Sequence, residues 1–382
     1  MTEESKAAAE DYRQQRQQAD AQRNGFGFTS AGFDDWLAKN EQRLRDLAKA
    51  NGTPDADVEA VIEEYKAYLA SASPGSKLDD KNARAILDPI LRDIEDLCRE
   101  QKIPIRNGVV YGVAPEFELL ARQREVMATD VSIIDVSMPF LVFCNCVSKA
   151  LARTLLHETR PLIKVSNDPA LVLPNLRASP RLLAEWAVII SAFACGELPP
   201  HSISPPPDQV GQQVTRILVL KAMEWFSLAH EYGHHVMKHG QATSTEDTRN
   251  IFNDEHEADL FARAVSMALG DKAEPPNFYA VSGVGGVIVL GLMDMTRRAR
   301  WVLETGLDSA PAGTSHPPLA DRITVFGLLD QHLPEELRAS AKDMRECFLK
   351  IIEGIWEHSV LPALQQAHKD GFRPDTSRST LA

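Results

Sequence analysis

The feature that most constrains the fold is a long apolar stretch with helical spacing, which follows three consecutive prolines at 205–207. Asp208 can cap its first turn, and Gly240 can end it. We therefore predict one helix over 208–239, and its apolar first half predicts that it is buried inside a domain. The large apolar residues of that half are Ile217, Leu218, Val219, Leu220, Met223, Trp225, Phe226 and Leu228.

The second half of this helix carries the motif His230-Glu231-Tyr232-Gly233-His234. His230 and His234 are four residues apart, so a helix places both imidazoles on one face, where they can bind a single metal ion. Glu231 lies beside the first histidine and can take a proton from water on that metal. Burying three ionisable groups is costly unless a metal or a partner satisfies them. The pattern is the HExxH arrangement of zinc metallopeptidases.

A glycine in the middle of this helix calls for a packing reason. Gly233 costs about 1 kcal/mol relative to alanine in a helix interior. We interpret it as a point where another element approaches closely.

The third ligand is expected from the next predicted helix, over about 248–269, because catalytic zinc usually has three protein ligands and one open position. That helix carries the acidic sequence 254–259, DEHEAD. We favour Glu255 as the ligand, and Glu257 is the alternative. If Glu255 binds, Asp259 lies one turn further on and can accept a hydrogen bond from a ligand histidine.

Peptide hydrolysis also needs a group directed at the developing oxyanion. His316, Arg322 and Tyr279 are candidates for that role, and the residues alone do not choose among them. His239 is either a structural residue or part of the wall of the site. His235 is either exposed or a packing residue.

The rest of the chain predicts a mainly α (α+β) fold with a small sheet. The uncharged segment 278–293 is glycine-rich and shorter than a membrane span requires, so we predict a buried helix. Short β-type runs occur at 109–111, 163–165 and 171–173, and a buried helix is predicted over 180–195. The expected regions are a flexible tail (1–25), a helical region (26–104), a mixed α/β region packing on the core (105–204), the metallopeptidase core (205–368) and a second flexible tail (369–382).

The composition of the chain narrows the classes of molecule that it can bind. The net charge is -13, which argues against nucleic acid and anionic membranes as partners. No signal-peptide pattern occurs near the start, and we expect a cytoplasmic protein with no membrane span. The cysteines are scattered, which predicts free thiols: Cys98, Cys144, Cys146, Cys195 and Cys347.

Three ordered segments of the chain, HEYGHHVMKH, EHEAD and SHPPLADRI, resemble the signatures of the CAAX-prenyl-protease and HtpX-like gluzincin peptidases. The similarity covers about residues 224–325. Soluble gluzincins of the IrrE/ImmA type and the phage-exclusion protease Lit share the pattern of an HExxH motif followed by a glutamate. The resemblance implies a zincin-like catalytic core. It also implies zinc bound by His230, His234 and Glu255, with Glu231 as general base, Asp259 supporting a ligand, and His316 and Arg322 lining or bracing the site.

The leading hypothesis is therefore a zinc-dependent endopeptidase that acts on a restricted protein or peptide substrate, for example a regulated stress or phage-defence protease. The second hypothesis is a zinc-stabilised sensing or interaction module without proteolytic activity. A third is a protease whose site is covered by its own N-terminal region until a trigger acts. The sequence does not indicate an oligomeric state.

Overall fold

The computed structural model describes residues 3–24, 30–50, 53–71, 76, 78–126, 129–158, 164–205, 207, 209–239, 251–311 and 316–375. This part of the chain is mainly helical with a small mixed sheet, which confirms the predicted fold class. It divides into two compact units, Met1–Glu116 with Leu120–Leu141, and Phe117–Leu119 with Val142–Ala382. The finer division at residues 104 and 204 stays a prediction.

The first unit combines helices with a three-stranded sheet. The helices are α1 (Glu3–Asn24), α2 (Ser30–Ala50), α3 (Val58–Ser71) and α4 (Lys81–Glu100), and the strands are β1 (Val109–Ala114), β2 (Ala121–Glu125) and β3 (Ser132–Ser137). The sheet order is β1-β3-β2, with β1 parallel and β2 antiparallel to β3. The strand predicted at 109–111 is confirmed as part of β1.

The sequence predicts a frayed helix or a flexible tail for the first 25 residues, and residues 3–24 form α1. Its buried face carries Arg13, Gln17 and Asp20 together with two alanines, Ala9 and Ala21. Arg13 Nη2 lies 2.7 Å from Asp79 Oδ2, and Gln17 Nε2 donates a hydrogen bond to Val113 O at 2.7 Å. Apolar periodicity is weak in this helix, because its large buried side chains, Arg13 and Gln17, are polar and the apolar contacts come from alanines.

The second unit is mostly helical. Its elements are α5 (Met138–Thr154, which begins in the first unit), β4 (Leu156–Glu158), β5 (Lys164–Ser166), α6 (Pro169–Arg177), α7 (Pro180–Ala194), α8 (Val210–Met237), α9 (Ile251–Lys272), α10 (Phe278–Val281), α11 (Val284–Thr305), α12 (Leu319–Phe326), α13 (Glu335–Ile355) and α14 (Leu361–Lys369). Short 3-10 helices span His201–Ile203 and Gly327–His332, and a π-helical turn spans Trp356–Val360.

Most predicted elements of this unit are confirmed, with small shifts at their ends. The helices predicted at 180–195, 208–239 and 248–269 are α7, α8 and α9. The predicted cap at Asp208, the predicted stop at Gly240 and residues 248–250 lie outside the described residues. The strand predicted at 163–165 overlaps β5, and residue 163 lies outside the described residues. The strand predicted at 171–173 is wrong, because this run lies in α6. Asp168 caps that helix by accepting from Ala170 N, and Pro169 fits its first turn.

The glycine-rich segment is buried and helical, as predicted, but it is divided into α10 and α11 at Gly283, whose φ is +82°. At Gly285, a Cβ atom would lie 2.4 Å from the backbone oxygen of Ala222, so α11 lies directly on the backbone of α8. The first half of α8 is less buried than predicted, since Ile217 is 48% exposed. All five cysteines are free, as expected. Within the described residues, no helix combines the length and apolar character needed to cross a membrane.

Candidate metal centre

Helices α8 and α9 bring three of the predicted residues into one cluster. His230 Nε2 lies 3.2 Å from His234 Nε2 and 3.4 Å from Glu255 Oε2. His234 Nε2 lies 3.5 Å from Glu255 Oε1. One ligand atom from each residue lies within 4.8 Å of the others, so the group can hold a metal ion.

The donor set fits a divalent cation. Glu255 Oε2 is buried and has no hydrogen-bond partner among the described residues, although His230 Nε2 lies 3.4 Å and Arg322 Nη2 3.5 Å from it. Leaving a buried carboxylate oxygen unsatisfied is costly. Two imidazole nitrogens and one carboxylate oxygen are a common protein ligand set of catalytic zinc. The residues therefore fit a metal centre with a position open to a further ligand.

The charges of the cluster also favour a cation. Burial on its own would lower the pKa of His230, but contacts with Asp259 and Glu255 outweigh it and raise that pKa to about 10. Burial would likewise raise the pKa of Glu255, but the two histidines hold it well below its usual range. The two carboxylates therefore attract positive charge to this point, and a metal ion would supply it in place of a proton.

Asp259 and Arg322 brace His230 from behind. His230 Nδ1 lies 3.0 Å from Asp259 Oδ1, on the side of the ring away from Glu255. Arg322 donates to both oxygens of Asp259, from Nε and from Nη2, each at 2.7 Å. Burial would raise the pKa of Asp259, but the hydrogen bonds from Arg322 and the contact with His230 lower it. The carboxylate therefore stays charged and can orient the ring of His230.

The geometry separates the two glutamates that the sequence left as alternatives. Glu255 lies in the cluster, whereas the side chain of Glu257 is 57% exposed and points to His239, with Oε2 3.0 Å from Nε2. His239 in turn contacts His234, with their Nδ1 atoms 2.8 Å apart. Sequence reasoning missed this chain of contacts, although His239 was one of its candidates.

The candidate oxyanion groups lie in different places. His316 Nε2 is 3.7 Å from Glu255 Oε2, and its side chain is 55% exposed at the edge of the cluster. Arg322 is buried and donates hydrogen bonds to Asp259, and its Nη2 also lies 3.5 Å from Glu255 Oε2. Tyr279 interacts with Thr215, which lies about 22 Å before His230 along α8. The tyrosine is thus directed away from the cluster.

Two further residues of the motif have clear positions. Glu231 is buried beside His230 on α8, and its charge acts on Arg322. His235 is fully buried, with its ring centroid 5.4 Å from that of Tyr232, so it is a packing residue.

Gly233 lies where α8 and α9 approach closely, as its place in the helix predicts. A Cβ atom there would lie 3.2 Å from the Cα atom of Ala258 and 3.1 Å from Phe261 Cδ1. Glycine therefore lets α8 and α9 cross closely beside the histidines and Glu255, which sets the spacing of the cluster.

Comparison with known proteins adds one finding. Residues 175–332 match a family model described as Peptidase U49. This segment contains α8, α9 and α12, and therefore every residue of the cluster and its surroundings. Among curated proteins and among solved structures, nothing matches the chain. The similarity indicates a peptidase, and hence a hydrolase that acts on proteins or peptides.

Proposed function

We propose that the chain is a zinc-dependent metallo-endopeptidase. The observation that carries the proposal is the convergence of His230, His234 and Glu255, with Glu231 buried beside them, inside the segment that is similar to a peptidase family. His230, His234 and Glu255 are the proposed zinc ligands. A bound zinc ion supplies a Lewis acid that polarises the scissile carbonyl and lowers the pKa of a water molecule toward about 7.

The protein side chains perform the proton transfers. The carboxylate of Glu231 accepts a proton from the attacking water while the water oxygen bonds to the carbonyl carbon. Glu231 then passes that proton to the amine nitrogen as the C–N bond breaks. His316, exposed at the edge of the cluster, donates a hydrogen bond to the carbonyl oxygen as negative charge develops on it. Asp259 and Arg322 act through His230: Asp259 contacts its ring, and Arg322 binds Asp259.

The wider setting follows from the same proposal. We assign catalysis to residues 205–368 and propose a restricted protein substrate, because much of the chain lies outside this core. A regulated stress or phage-defence protease in the cytoplasm fits that description. The competing function is a sensing or interaction module in which zinc has only a structural role. Such a module has no use for a carboxylate at Glu231.

Glu231→Gln distinguishes the two functions. The substitution keeps the size of the side chain and the three ligands but removes the base. We expect zinc content and thermal stability to match wild type, while the cleavage rate falls about 10²- to 10⁴-fold. A suitable measurement compares new protein N-termini in extracts treated with zinc-loaded wild type or with the variant. Asp271→Asn, an exposed change on α9, is the control.

The peptidase proposal fails if zinc-loaded wild type and Glu231→Gln both create no N-termini beyond those of the untreated extract. That outcome favours the sensing module. If both proteins create the same new N-termini, the chain is a peptidase but Glu231 is not its base.

A further inference from the structure

We propose that His239 and Glu257 form a relay that positions His234 for the metal. In this relay His239 holds the ring of His234, and Glu257 holds the ring of His239. Both are positioning residues, since neither one touches the centre of the cluster. The inference rests on the metal site of the proposed function but not on its proteolytic activity.

With His234 Nε2 directed at the metal, the contacts fix one arrangement of protons for neutral His239. If His234 uses Nε2 toward the metal, its other nitrogen, Nδ1, carries the hydrogen. That N–H then donates to His239 Nδ1 at 2.8 Å, which must be an acceptor. The hydrogen of neutral His239 therefore lies on Nε2, which donates to Glu257 Oε2 at 3.0 Å. Every donor meets an acceptor, and the chain ends on a carboxylate.

The local backbone explains why His239 reaches back to His234. Helix α8 ends at Met237, earlier than the predicted end at 239, because Lys238 adopts a left-handed conformation with φ +60°. His239 N donates to His234 O at 3.0 Å, and Lys238 N donates to His235 O at 3.3 Å. This is the Schellman pattern of a helix end. The turn ties the backbone of His239 to the same residue that its side chain contacts.

The two ligand histidines are thus supported in unequal ways. His230 contacts Asp259 directly, and Asp259 is fully buried and paired with Arg322. His234 is supported through His239, which is 4% exposed, and finally by Glu257, which is mostly in solvent. Solvent weakens charge interactions at exposed positions, so Glu257 should matter less than His239.

The test measures zinc affinity of the full chain by competition with a chromophoric chelator. We expect His239→Ala to weaken zinc binding about 10- to 100-fold, which is usual for groups that orient metal ligands. Glu257→Gln should weaken it about two- to fivefold, because that carboxylate is exposed. Asp271→Asn removes an exposed charge from the same helix and should change nothing.

Two further variants separate positioning from simple loss of structure. His239→Asn places an oxygen where Nδ1 was, so it can still accept from His234 but cannot reach Glu257. It should recover part of the affinity lost in His239→Ala. Adding Glu257→Gln to His239→Asn should have no further effect, because the relay is already cut. The visible spectrum of cobalt-loaded His239→Ala should shift relative to wild type, since the geometry of His234 changes.

Each possible result supports or contradicts the relay. If wild type binds zinc and His239→Ala binds it equally well, the relay is wrong and the proposed function is untouched. If Glu257→Gln has the same effect with and without His239, the two residues do not form a relay. If wild type binds no zinc, the relay and the proposed metal site both fail. If the variants weaken zinc binding but wild type cleaves nothing, the relay stands and the peptidase proposal fails.

Discussion

At the scale of single residues, the site assigns separate tasks to side chains that the sequence grouped together. His316 and Arg322 were both expected at the site, as catalytic or bracing groups. Their surroundings differ sharply, because His316 is half exposed beside Glu255, whereas Arg322 is buried and bound to both oxygens of Asp259. We therefore assign His316 to the reacting carbonyl and Arg322 to support of the metal ligands.

The two assignments predict that alanine at position 316 lowers activity, whereas alanine at position 322 lowers stability and zinc binding. His316→Ala should lower kcat on a cleaved peptide about 10²- to 10³-fold, the usual cost of removing one oxyanion donor, with zinc content and urea stability unchanged. Arg322→Ala leaves the buried Asp259 without its partner, so it should cost about 3–5 kcal/mol of stability and weaken zinc binding. Kinetics, zinc content and urea unfolding of both variants measure these effects.

Exposed His332→Ala is the control for loss of an imidazole. The division of roles is contradicted if His316→Ala loses zinc as readily as Arg322→Ala, or if kcat survives its removal.

At the scale of elements, apolar spacing predicted the helices that pack through apolar faces. Helices α7, α8 and α9 have large buried apolar faces and were predicted close to their actual positions, whereas the helix predicted at 278–293 covers α10 and only the beginning of α11. Strand β2, with the sequence ARQRE, was missed because all five of its residues are only partly buried and no apolar alternation marks it. The Leu171–Leu173 run was mistaken for a strand because the cap at Asp168 outweighs the β propensity of the run.

The close contact between α11 and α8 gives a prediction at this scale. Gly285→Ala places a Cβ atom against the backbone of Ala222, so the helices must separate. We expect a loss of about 1–3 kcal/mol in urea unfolding, typical of overpacking, and weaker zinc binding because α8 carries two ligands.

The matched control is Gly327→Ala. Its Cβ would meet nothing within 4 Å, and its φ of -63° suits alanine. It should be neutral or stabilise by about 0.4–1 kcal/mol. Equal stability of the two variants would show that the helices do not need glycine at position 285.

At the scale of the whole molecule, the candidate site lies entirely within the second unit, on α8, α9 and the segment that leads into α12. Much of it was predictable, since His230, Glu231 and His234 have a fixed spacing on one helix, and Glu255 and Asp259 on another. Distances between the helices were not predictable, because they depend on the packing of Gly233 against Ala258. The contact of His239 with His234 was also hidden, since it needs a left-handed turn at a lysine.

The measurement that tests the central claim most directly is the amount of zinc bound per chain after equilibrium dialysis, determined by elemental analysis. Wild type and Asp271→Asn should each bind about one zinc ion, and His234→Ala and Glu255→Ala, each lacking one of three ligands, should retain little under the same conditions. A wild-type chain that binds no zinc, or a Glu255→Ala variant that still binds one ion with unchanged affinity, would contradict the account.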